Sequence, residues 1–167
     1  MRNPNLWTSE GTMHGRGKGY EDSVASQHTD ADRVLNASIS LALDKLVERG
    51  EFYPFGVALT REGQIAVLTT QETPSRPTSD AFLSALHGAL SDGARSGSFK
   101  ATAIVADFSF EKPRQSGEHD AIRVSVESAA GEAITCFLPY VLVTPGGTRD
   151  VRPGQPFAQS GERSIFT

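Results

Sequence analysis

Cysteine occurs once in 167 residues, at Cys136. That excludes an internal disulfide and any multi-cysteine metal centre. Nor does any apolar run approach the roughly 20 residues of a membrane-spanning helix. The formal net charge is −4, with acids and bases mixed along the chain. No basic stripe marks a nucleic-acid footprint. No serine sits in a nucleophile elbow, and no glycine-rich strand-to-helix turn is present. The run Gly15-Arg16-Gly17-Lys18-Gly19 has neither the preceding strand nor the spacing of a phosphate-binding loop, so a flexible basic segment is expected. The opening residues Met1–Asn5 do not lead into a signal-peptide apolar region. The expected location is therefore the cytoplasm, with no membrane, nucleic acid or cofactor as partner.

What is present is a stretch of β alternation from Phe99 to Val143. Phe99–Phe110, Ala121–Ser128 and Ala133–Val143 each alternate and are rich in β-branched and aromatic residues, the signal of strands. Ala129-Ala130-Gly131 predicts a three-residue hairpin loop. It pairs Glu127 with Ala133 and Ser125 with Thr135, and a slip of one residue would turn a whole strand over. Glu111–His119 reads as a longer polar loop. If that hairpin is roughly symmetrical, Asp107 lies near Arg123.

Upstream, residues 1–29 predict a flexible arm. The chain's single tryptophan, Trp7, lies in it beside Leu6 and is a candidate for docking on the domain or a partner. Asp30 or Asp32 can cap a helix to Arg49 whose face carries Leu35, Ile39, Ala42 and Leu46, stopped by Gly50. Phe55–Thr60 and Gln64–Thr70 predict a hairpin about Arg61-Glu62-Gly63. Gln71–Thr78 reads as a linker. A second helix follows from Ser79 or Asp80, with Phe82, Leu83, Leu86, Ala89 and Leu90 apolar and Gly88 suggesting close packing or a weak last turn. Thr144–Thr167 reads as an irregular Pro/Gly-rich arm, anchored by Phe157, Ile165 and Phe166 if it docks.

The expected architecture is one α+β domain over 30–143: a single five-stranded antiparallel sheet with two helices on one face, in the order α-β-β-α-β-β-β. That order resembles the roadblock/profilin-like layout. At the residue level, Phe52-Tyr53-Pro54-Phe55-Gly56-Val57-Ala58-Leu59, Lys100-Ala101, Asp120-Ala121-Ile122-Arg123-Val124 with Glu127, and Pro139-Tyr140 resemble a family of small uncharacterised bacterial proteins. The resemblance implies a bacterial-type domain and carries no mechanism.

Candidate chemistry gathers on the expected outer sheet face. Asp107, Arg123, Glu127 and Thr135 supply its polar groups. Ala101, Ala103, Val105, Phe137, Pro139 and Val141 make it half apolar, where a solvated face is normally more polar. The C-terminal arm, a second copy, or a different protein would cover it. Tyr140 reads as core with its hydroxyl reaching an edge. Cys136 reads as a small buried hydrophobe. In Glu118-His119-Asp120, alternate side chains point apart, so a solvated loop end is expected and not a metal site.

The candidate binding residues are thus Val105, Asp107, Arg123, Glu127, Phe137 and Tyr140. The leading expectation is a non-enzymatic interaction module, either homodimeric or bound to an unidentified protein partner. The alternatives are an immunity- or antitoxin-like protein, and an enzyme with a site near Asp107, Arg123 and Glu127.

Overall fold

A computed structural model describes residues 29–69, 79–115 and 117–167. The expected arm before Thr29 and the whole Gln71–Thr78 linker lie outside the described residues. Among the described residues two long helices are present, α1 (Asp30–Arg49) and α2 (Ser79–Arg95). The strands are β1 (Phe55–Thr60), β2 (Ile65–Leu68), β3 (Phe99–Ser109), β4 (Asp120–Ser128), β5 (Ala133–Val143), β6 (Asp150–Pro153) and β7 (Phe157–Ser160). All pairings are antiparallel and the order is β2-β1-β3-β4-β5-β6, with β7 also on β5.

Among the described residues the sheet therefore has seven strands, not five. The extra two come from the segment expected to be irregular. β6 pairs with Tyr140–Val143 and β7 with Ile134–Phe137, so together they line one edge of β5. Each is only four residues long, too short to show a period against the prolines and glycines around it. Between β5 and β6, Arg149 donates to the carbonyls of Glu48 (2.9 Å) and Val47 (3.4 Å). It thereby satisfies orphan carbonyls at the end of α1.

Helix α1 is capped by Thr29, not by Asp30 or Asp32. The Thr29 hydroxyl accepts from the Asp32 amide, and the Asp32 carboxylate accepts from the Thr29 amide. This reciprocal pair is a capping box. Gly50 closes the helix in the left-handed conformation, its N–H donating to Leu46 O at 2.8 Å. The inward face carries Val34, Leu35, Ile39, Ala42, Leu43 and Leu46, each at most 3% exposed.

The two helices pack on opposite faces of the sheet. On the first face α1 meets Val57 and Leu59 of β1, Ala101, Ala103 and Val105 of β3, Val124 and Val126 of β4, and Cys136 and Leu138 of β5. On the second, Leu90 of α2 clusters with Ala58, Leu68 and Ile104. A Cβ at Gly56 would lie 3.5 Å from both Leu86 and Leu90. The topology requires a helix here. β2 and β3 are both antiparallel to β1, hence parallel to each other, and their connection must cross β1. Because α1 fills the first face, α2 crosses on the second.

Both hairpin turns have the expected three residues. Thr60 N–H donates to Gln64 O at 2.8 Å around Arg61–Gly63. Glu127 faces Ala133 and Ser125 faces Thr135. Gly131 takes φ 109°, a conformation costly for other residues.

Candidate functional site

The β3–β4 register decides which polar residues meet. Asp107 is opposite Ile122, and Ala106 is opposite Arg123. Asp107 consequently shares the first face with Ile122, while Arg123 shares the second with Glu127. The expected Asp107–Arg123 pair does not form. Val105 likewise lies on the first face, fully buried under α1, and is core rather than an outer-face contact.

On the first face, Tyr140 stands one strand beyond, on β5. Its hydroxyl donates to Asp107 Oδ1 at 2.9 Å. The ring is buried, so the expected core position holds, and the hydroxyl is used internally. Burial pushes the Tyr140 hydroxyl up, and the negative charge of Asp107 adds to it. Burial also raises Asp107, against the lowering effect of the hydrogen bond from Tyr140. Tyr140 is thus the buried member of the pair, while Asp107 remains exposed at the edge of the first face.

The second face is organised by Glu127. Its side chain is 5% exposed. Oε1 accepts from the amides of Ser164 (2.9 Å), Ile165 (3.1 Å) and Phe166 (3.3 Å), and Oε2 from Ile165 N–H (3.0 Å) and Ser164 Oγ (3.3 Å). Three successive backbone amides wrapping one carboxylate form an anion nest. Arg163 donates to Phe166 O at 2.6 Å and tightens the same turn. Ile165 then packs beside Ala58 and Leu90. The C-terminal segment thus covers part of the face that looked half apolar, and the acceptor oxygens of Glu127 are occupied.

Beyond this strap an open groove of about 520 Å³ crosses the second face. Arg123, Thr135 and Phe137 lie along its floor, Leu83 of α2 forms one wall, and Gln159 with the strap forms the other. Next to it is an aromatic cluster. Phe137 stacks on Phe157 (centroids 5.0 Å, 16° between planes) and meets Phe108 edge-on at 5.2 Å, and Phe108 meets Phe110 at 5.4 Å. The Arg114 guanidinium lies 4.7 Å over Phe157 and that of Arg123 lies 5.9 Å over Phe108. Among the described residues neither arginine has a carboxylate within ion-pair distance.

Of the six sequence candidates, the groove brings together Arg123, Glu127 and Phe137. Val105, Asp107 and Tyr140 belong to the first face. The side chain of Glu118 is buried, contrary to the solvated loop end expected of its triplet, and packs against Gly154 with Oε2 unpartnered. His119 is exposed, and among the described residues no group of three His, Cys, Asp or Glu could hold a metal ion. Phe108, Phe110 and Phe157 escaped the sequence reading as a group. The first two sit two apart where β3 ends, Phe110 just past its last residue, and only the register of β7 adds the third. No protein family, curated protein or solved structure matched this chain.

Proposed function

We propose that the chain is a non-enzymatic binding module whose second sheet face receives an extended acidic segment of another protein. The observation that carries this reading is the half-buried Arg123, without an ion-pair partner among the described residues, on the floor of an open groove flanked by the Phe108–Phe137–Phe157 cluster. Arginine is suited to planar recognition of a carboxylate, and aromatic and arginine side chains dominate the energetics of protein interfaces. An enzyme centred on Asp107, Arg123 and Glu127 is disfavoured, because the first lies across the sheet from the others and the acceptors of the third are taken by the strap. An immunity- or antitoxin-like role is one form of the same reading, with a dedicated partner. The sequence resemblance and the cytoplasmic expectation agree with a small bacterial protein of this kind. Among the described residues no helix is long and apolar enough to cross a membrane.

Selection of displayed random peptides on the immobilised protein tests the proposal. The selected sequences should be enriched in aspartate and glutamate, and should lose at least tenfold in affinity against Arg123→Ala. Acid-free peptides, or equal binding to the variant, would refute it.

A second reading rests on the sheet edge. Among the described residues β2 has no partner on its outer side, and Ile65 and Val67 are 39% and 46% exposed. An apolar edge strand without a charge or proline invites strand addition, so a second copy could pair there. Native mass spectrometry separates the readings: a dimer lost in Val67→Lys supports edge pairing, and a monomer removes it.

A further inference from the structure

Where α1 ends and β1 begins lies a smaller pocket of about 230 Å³. It is independent of the groove and shares no lining residue with it. Its walls are aromatic. Phe52 meets Phe55 edge-on at 5.7 Å, and Tyr53 lies against Phe82 at 5.6 Å with the planes 32° apart. Tyr53 remains 49% exposed although it is a large aromatic side chain. Drug-sized ligands occupy cavities of roughly 300–1,000 Å³, so this pocket suits a single ring with a short substituent.

The charges at its mouth specify the substituent. Lys45 is half-buried, its Nζ 5.3 Å over the Phe55 ring, and no carboxylate among the described residues lies within ion-pair distance. Arg49, one helical turn on, makes only a 4.0 Å contact to Glu48, with both side chains about 70% exposed; pairs of this kind contribute little. Among the described residues Glu51 is the one acid lining the pocket, which leaves a positive excess among them. A cation held over an aromatic face and lacking a counter-ion is placed to take a carboxylate from a ligand whose ring fills the space below.

We infer that the pocket between Lys45, Tyr53 and Phe82 binds a monocyclic aromatic carboxylate. Phenylacetate serves as the probe, with benzylamine and acetate as controls, followed by amide chemical shifts of the whole chain. Phenylacetate should give saturable shifts centred on Tyr53 and Phe55. Benzylamine, which keeps the ring and reverses the charge, and acetate, which keeps the charge and lacks the ring, should give none. Lys45→Met should weaken phenylacetate at least tenfold, and Glu51→Gln should tighten it by several-fold. The proposal is overturned by the absence of saturable shifts, by shifts centred on Arg123 instead, or by benzylamine binding as well as phenylacetate. The last comparison uses the unaltered protein and holds even if Lys45→Met does not fold.

Discussion

Glu127 reaches across 38 positions of sequence to bind the Ile165 amide at 3.0–3.1 Å. The contact is local in space and unreadable in sequence, because a glutamate on a strand face opposite an apparently irregular tail carries no mark of its partner. It also ranks among the stronger single interactions on the second face, since hydrogen bonds to a charged acceptor contribute more than neutral ones. Glu127→Ala removes the acceptor of three amides, leaving those of Ile165 and Phe166 partly enclosed. The expected loss is about 2–4 kcal/mol by the cost of unsatisfied buried groups. Urea unfolding gives the total. Amide exchange locates it: Ser164, Ile165 and Phe166 should lose protection far more than Ala103 or Val124 in the centre of the sheet.

The Tyr140–Asp107 contact makes a different prediction, about pH. Burial raises the Asp107 carboxyl above its ordinary value of 3.8. In that direction the folded state holds the proton more tightly than the unfolded state. The slope of stability with pH is then negative between the two values, so this group disfavours folding above its folded pKa and the penalty fades as pH falls through it. Asp107→Asn keeps an acceptor for the Tyr140 hydroxyl while removing the charge. It should leave stability at pH 7 unchanged or higher, and should flatten this residue's part of the profile above its ordinary titration range near about pH 4. Tyr140→Phe strips the hydrogen bond but not the burial, and should cost about 1–3 kcal/mol at pH 7. Chemical unfolding at a series of pH values checks both.

Two glycines in α2 look alike in sequence and have opposite roles. At Gly88 an added Cβ meets nothing within 4 Å, so the close packing expected there is not found. At Gly93 it would overlap the Phe99 ring, which is why the helix needs glycine two residues before its end. Gly88→Ala should therefore stabilise by about 1 kcal/mol, the difference in helix propensity. Gly93→Ala should destabilise by about 1–3 kcal/mol, as overpacking does. Thermal melting of the two single variants should show shifts of opposite sign.

The same contrast explains how much was legible beforehand. Local signals carried far: the alternation of β3 to β5, the stop at Gly50, and the loop at Ala129–Gly131 with its register all follow from neighbours in sequence. Facing was less secure. The β3–β4 register depends on a nine-residue polar connection and is one position away from pairing Asp107 with Arg123, and that position moved Val105 and Asp107 to the first face. The opposite placement of the helices had a signal in β1. Phe55 to Leu59 is buried throughout, without alternation, as expected of a strand covered on both faces. The groove was only half visible, because Arg123 and Phe137 lie on strands with clear periodicity, while its far wall is made by β7 and the strap. Those elements take their shape from long-range partners.

Cys136 provides the last test, one of chemistry rather than packing. It is 1% exposed beneath α1, and burial, with a smaller effect from the Asp32 charge, pushes its thiol up to about 11. The thiolate is the reactive species, so at pH 8 only a very small fraction is present, and it is shielded by the helix. Reaction with a disulfide reagent should therefore require opening of the α1 face, and its rate should track unfolding as urea is added. Glu127→Ala loosens the other face and should speed labelling only as far as it lowers global stability. Fast labelling of the native protein at pH 8 would mean that α1 lifts from the sheet independently, and would place the weakest seam of the fold under that helix.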